Sequence, residues 1–267
     1  MVTPPQEPKA LTRLWCTWEL YNAIQSECDV HIHTSGKLYG DFQNILMKKK
    51  QFKTLITNLA SKIDCVHAEA SVSSHAVMLK TCIEQVGVEK VDNSISKCTK
   101  AWLASKGDEM VYRLLRSSNN DDNTKDRKTA LDACSIVAGI WKDLGMLEKA
   151  EPSYRRVFEL REELLGKDHL RTIKAMQNLA SLLQQLSLNK TAKKGWNALS
   201  SSISNTNKYN NDANEKNYLA EAELLFRRAL VKQEQILGLT DPQTLQSLNN
   251  FAVFCQKNQK LREAELL

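Results

Sequence analysis

Val30-His31-Ile32-His33 sets two imidazoles two residues apart in an alternating apolar stretch. On a strand, residues i and i+2 share a face, so both rings would point the same way and could begin a metal site. A zinc-type centre needs three or four ligands, and no carboxylate or cysteine cluster accompanies the pair. Cys65 and His67 have the same shortage. The chain carries no Gly-rich phosphate loop, no G-x-S-x-G elbow and no H-E-x-x-H helix, so nothing specifies a reaction. The expectation is a non-enzyme with no metal and no cofactor.

The seven cysteines (16, 28, 65, 82, 98, 134, 255) are scattered and odd in number, with no C-x-x-C pair. That usage reads as reduced thiols in a cytoplasmic protein. No run of about 18 apolar residues is present to span a membrane, and the N-terminal MVTPPQEPKA has no apolar core of a secretory signal. The net charge of +6 sits partly in two short runs, Lys48-Lys49-Lys50 with Lys53, and Lys125 to Lys128. Neither run interleaves aromatics, so nucleic acid is not an expected partner.

The elements that must position any site are helices. The chain has 267 residues, 42% of them hydrophobic, with nine Gly and five Pro, which favours long helices around packed cores. The stretch AEPSYRRVFELREELLG (Ala150 to Gly166) returns as AELLFRRALVKQEQILG (Ala222 to Gly238), 72 residues later. The same shift carries Thr172 onto Thr244 and Asn178 onto Asn250. A third copy opens at Ala264, 42 residues after Ala222, so the middle copy holds an insertion of 30 residues at about 187–217. This insertion is rich in Asn and Ser and is expected to be disordered.

Each copy reads as two helices. Ile173, Met176, Leu179, Ala180 and Leu183 share one face of the first helix, and Leu245, Leu248, Phe251, Ala252 and Cys255 are their counterparts. The second helix spans about 150–165, with Tyr154, Val157, Phe158 and Leu165 apolar. Gly166 and Gly238 supply left-handed stops, and Asp241-Pro242 marks a helix start. One such pair cannot bury its own apolar face, so copies must stack.

The pattern T-x-x-x-x-x-N-Φ-A … A-E-x-x-Φ-R-R-A-L … L-G resembles the 42-residue tetratricopeptide (TPR) repeats of kinesin light chain, over about Thr129 to Leu267. The resemblance implies a helix-pair solenoid of about 2.5 copies whose first helices line a concave groove for a partner's peptide. Lys174, Asn178, Ser181 and Gln185 form one polar stripe at i, i+4, i+7 and i+11, matched by Gln246, Asn250, Val253 and Lys257. Amides such as Asn178 and Asn250 can both donate to and accept from an extended backbone; the same stripe also suits the solvent face of an amphipathic helix. Arg155-Arg156 and Arg227-Arg228 are expected to face solvent or pair with nearby acids.

In the N-terminal part, Leu14, Trp15, Trp18, Tyr21 and Ile24 recur at helical spacing before the alternating Val30 to His33. Arg13 to Leu20 resembles the W-C-x-x-E-L helix of Toll/interleukin-1 receptor (TIR)-like domains, and Glu19 holds the place of the carboxylate that acts on NAD in TIR domains that cleave it. The resemblance covers about 25 residues, and the fold's first half would lie before residue 1. Three helices are expected at 38–63, 73–86 and 89–103. Asp64 to Ala70 and Val91 to Leu103 are similar to segments of repeat proteins of unicellular eukaryotes.

The organisation expected is therefore mainly α: a partial TIR-like α/β segment followed by helices (1–116), a polar linker (117–128) and a TPR array (129–267). The expected function is a protein-interaction scaffold; the alternatives are a fragment of a TIR-type NAD-cleaving or nucleotide-sensing protein and a kinesin light chain. The latter would predict a heptad coiled coil, which 1–110 lacks. Both ends are expected to be cut, and the chain to be marginally stable alone or part of a longer product.

Overall fold

The computed structural model describes residues 9–28, 30, 44–45, 48, 50–52, 54–55, 57, 63–70, 72–117, 124–200 and 209–258. It divides into two units, residues 1–145 and 146–267.

The first unit is built from four helices among the described residues: α1 (Leu14–Gln25), α2 (Ser73–Val86), α3 (Val88–Ser117) and α4 (Thr124–Asp143). A short 3-10 turn, Lys9–Thr12, leads into α1. Leu14 and Tyr21 of α1, Leu79 and Ile83 of α2, and Val91 and Ile95 of α3 converge in one core with Ile63, Cys65 and Ala68. Trp15 lies off that face and is 43% exposed, because the α1 stripe that packs inward is the i, i+3, i+7 row of Leu14, Thr17 and Tyr21. Beside this core, α3 packs along α4. Gly107 of α3 makes this approach possible, since a Cβ there would run into Val137 of α4. Trp141 Nε1 donates to Asp108 Oδ2 at 2.8 Å across the same pair.

Several N-terminal expectations change. The described residues contain no strand; β-type pairing is confined to one isolated parallel bridge, Arg13 to Glu69. There Leu14 N donates to Glu69 O and Glu69 N to Thr12 O, each at 2.9 Å. His31 and His33 lie outside the described residues, as does most of 38–63, where the described residues at 44–45, 50–52, 54–55 and 57 are helical. Asp64 to Ala70, between the expected helices, forms a turn and the bridge, with Asp64 Oδ1 accepting from the backbone N–H groups of Val66 and His67 at 3.0 and 3.1 Å. The helix expected at 73–86 is present, and the one expected at 89–103 runs on to Ser117. Helix α4 begins at Thr124, inside the stretch read as a linker.

The second unit contains α5 (Leu147–Leu165), α6 (Leu170–Ser200), α7 (Tyr209–Leu237) and α8 (Pro242–Lys257). Each helix packs on the next in chain order. Gly166 (φ +88°) and Gly238 (φ +85°) occupy left-handed positions after α5 and α7, and their N–H groups bond to Glu162 O and Glu234 O, each at 3.0 Å. Asp241 caps α8 by accepting from Gln243 N at 2.8 Å, with Pro242 at the first helical position. Thr172 Oγ1 donates to Arg161 O at 3.2 Å and ties the start of α6 to α5.

The expected apolar face of α6 is buried throughout, with Ile173, Met176, Ala180 and Leu183 at 0% exposure and Leu179 at 2%. On α8 the cover is narrower: Leu245 is 50% exposed, and the buried set is Thr244, Ser247, Phe251, Phe254 and Cys255. The cause is unequal cover, since α6 packs against both α5 and α7 while α8 packs on α7. The insertion is not wholly a loop either, because α6 carries helical backbone to Ser200 and α7 begins at Tyr209; residues 201–208 lie outside the described residues. Asn and Ser lower helix propensity by only a few tenths of a kcal/mol each, so a long helix can run on through them.

Candidate functional site

The polar stripe of the second unit comes from α6 and α8. Lys174, Asn178, Gln246 and Lys257 are exposed, Ser181, Gln185 and Asn250 are half-buried, and Val253 is 37% exposed. These side chains sit on helices whose remaining faces are held by the core, so their positions follow from packing already described. Their functional groups are carboxamides, one hydroxyl and two ammonium groups, which suit hydrogen bonding to a polypeptide backbone and provide no nucleophile–base pair.

In the same unit, α5 and α7 are laced together by ion pairs. Arg155 makes a two-pronged contact to Glu221, at 2.5 and 2.8 Å, and its Nε donates to Glu151 Oε1 at 3.0 Å. Glu221 and Glu151 hold the guanidinium firmly in its charged form. Tyr218 OH donates to the other Glu151 oxygen at 3.1 Å, and burial followed by the Glu151 charge raises the phenol pKa above its ordinary value. Arg228 reaches Glu162 at 3.3 Å and Lys232 reaches Asp168. Arg227 pairs with Glu223 at 3.1 Å while its guanidinium lies 5.1 Å from the Phe251 ring centroid. Arg155, Arg227 and Arg228 thus pair with neighbouring acids, as their repeated position suggested.

Sequence reading missed three buried polar side chains. Gln177 of α6, Gln233 of α7 and Ser247 of α8 are 5, 3 and 3% exposed. Gln177 Nε2 donates to Gln233 Oε1 at 3.0 Å and also contacts Ser247 Oγ, which in turn contacts Gln233 Oε1 and donates to Gln243 O at 2.8 Å. The signal was present in the spacing: Ile173, Gln177, Ala180 and Gln184 recur at helical intervals and are all buried. Gln184 Nε2 and Thr244 Oγ1 are buried with no hydrogen-bond partner among the described residues.

In the first unit, Glu19 is exposed and accepts from Trp15 Nε1 at 2.5 Å along the same helix. A cleft of about 130 Å³ in this unit is lined by Arg13, Trp15, Glu69, Val72 and His75, among others, and Glu19 is not part of its lining. The Trp15 and His75 ring centroids are 5.8 Å apart. Cys65 is buried, whereas His67 is exposed and its Nδ1 lies 2.7 Å from Asp64 Oδ2, so the two point into different surroundings. No group of three His, Cys, Asp or Glu side chains suited to a metal ion occurs among the described residues. None of their helices is long and apolar enough to cross a membrane.

No curated protein matches the chain. Residues 131–171, which span most of α4, all of α5 and the start of α6, match the family model described as a tetratricopeptide repeat.

Proposed function

We propose that this protein is a non-enzymatic interaction scaffold that binds an extended peptide of a protein partner along the polar stripe of α6 and α8, within an array of light-chain-type TPR repeats. The observation that carries this reading is the exposure of Lys174, Asn178 and Gln246 on helices packed against α7. The matched repeat supports a protein partner. Carboxamides spaced along such a helix pair can satisfy successive N–H and C=O groups of an extended chain. Residues 1–116 are read as a helical accessory region in which Glu19 is an ordinary surface carboxylate. Its engagement by Trp15 and its exposure favour that role over the one implied by the TIR resemblance, since general acid–base work needs an enclosed, positioned substrate. A cytoplasmic location fits the thiol usage.

The test is selection of peptides from a random displayed library on the full chain, followed by titration against Asn178→Ala/Asn250→Ala. Loss of two backbone-directed hydrogen bonds at about 1 kcal/mol each corresponds to weakening by roughly tenfold to thirtyfold. Peptides that bind the double variant as tightly as the parent chain would defeat the assignment to this stripe.

A further inference from the structure

The Gln177–Gln233–Ser247 cluster places one side chain from each of α6, α7 and α8 at a single buried point. Burial of polar groups in a helical core adds little stability, because each group gives up water to gain its partner. Apolar side chains of the same volume would serve packing as well or better. The repeat builds its other junction without this cluster: under the 72-residue shift Ser247 corresponds to Ala175, which is buried at 2% exposure, and Gln233 corresponds to Arg161. The α5–α6 junction therefore forms with Ala where the α7–α8 junction has Ser. None of the three cluster residues leaves a fully buried side-chain nitrogen or oxygen without a partner, in contrast to Gln184 and Thr244.

A hydrogen-bonded polar cluster within an apolar interface is directional where the surrounding contacts are not. A helix that rotates or slides by one residue keeps much of its apolar burial but strands a carboxamide in the core. Leu and Ala neighbours alone would tolerate such slips, since ridges of similar side chains repeat along the helix. We propose that Gln177, Gln233 and Ser247 are positioning residues that lock the rotation and register of α6 and α8 against α7, and so hold the two halves of the polar stripe at one spacing. Gln177 immediately precedes Asn178, and Ser247 lies three residues before Asn250, so a slip at the cluster moves both amides. The inference rests on the peptide-binding reading only for what the lock serves; the lock itself is a property of the helices.

The experiment uses the full chain with spin labels on a bioorthogonal amino acid at positions 174 and 246, both exposed, so that the native cysteines stay untouched. Without peptide, the parent chain is expected to give one narrow label–label distance distribution. Gln177→Leu/Gln233→Leu/Ser247→Ala is expected to broaden it at least twofold or add a second distance, with a thermal midpoint unchanged or raised. An unchanged width overturns the proposal. If the triple variant does not fold, Ser247→Ala and Ser247→Thr replace it: the alanine form should broaden the distribution, the threonine form should restore it, and equal widths overturn the proposal. Because no peptide is present, a failure of the peptide titration and a failure of the lock are separate results.

Discussion

Burial keeps the Cys65 thiol at 1% exposure, and with the Asp92 carboxylate beside it pushes the thiol pKa far above the ordinary range. A raised thiol pKa means a negligible thiolate fraction at neutral pH, and the thiolate is the reactive form. Cys28 lies on the surface after α1. Iodoacetamide at pH 7.5 should therefore modify Cys28 at least tenfold faster than Cys65, measured by peptide mass spectrometry on the native chain. Equal rates would mean that Cys65 is not held in this core. Side-chain environment was hard to read in advance at this scale. Cys65 and His67 looked alike as candidates in sequence, and only the turn made by Asp64 sends one inward and the other into solvent. Gln177 and Asn178 are adjacent and chemically similar, yet α7 covers one and leaves the other exposed.

Among the elements, the contact of α3 with α4 depends most on one residue. A Cβ at position 107 would run into Val137 Cγ2 and lie 3.4 Å from Phe52 Cζ, and both neighbours are at 0% exposure. Gly107→Ala should lose about 1–3 kcal/mol despite the higher helix propensity of alanine, because overpacking outweighs the gain of about 1 kcal/mol expected at an open helical site. Val137→Ala in the same chain should recover part of that loss. Urea unfolding of the single and double variants checks this, and additive losses would exclude the clash as the cause. Helix existence was legible here, since α2 lies where the spacing predicts it. The extension of α3 to Ser117 was not, because its last turns carry Asp, Glu and Arg on faces that only packing against α4 selects.

Across the whole molecule, carboxylates held by close cations or donors contribute to the response to acid. His67 and backbone donors lower the pKa of Asp64, Lys106 lowers that of Glu109, and Lys232 lowers that of Asp168. A carboxylate with a depressed folded-state pKa stabilises the fold fully above its unfolded pKa, and that contribution is lost as pH falls through the folded value. The urea midpoint should thus be flat from pH 7 to about 5 and fall progressively toward pH 2, more shallowly in Glu109→Gln. A midpoint constant down to pH 3 would show that these pairs contribute nothing. All three groups are at least partly solvated, so each contribution is small and reduced further by salt.

The amino-acid sequence by itself determined the helical character of the chain, the repeat of Ala150–Gly166 at Ala222–Gly238, the glycine stops and the Asp241-Pro242 start. Each of these is a local matter of periodicity, left-handed φ or a missing amide donor, and needs no distant partner. Tertiary structure alone decided how far each apolar face is covered. Leu245 and Ile173 are the same letter of the repeat in effect, yet one is half in solvent and the other fully buried, because α6 has a neighbour on both sides. The meeting of Gln177, Gln233 and Ser247 from three helices was equally out of reach. Burial is a property of what a residue packs against, and a periodic pattern carries no record of its neighbours.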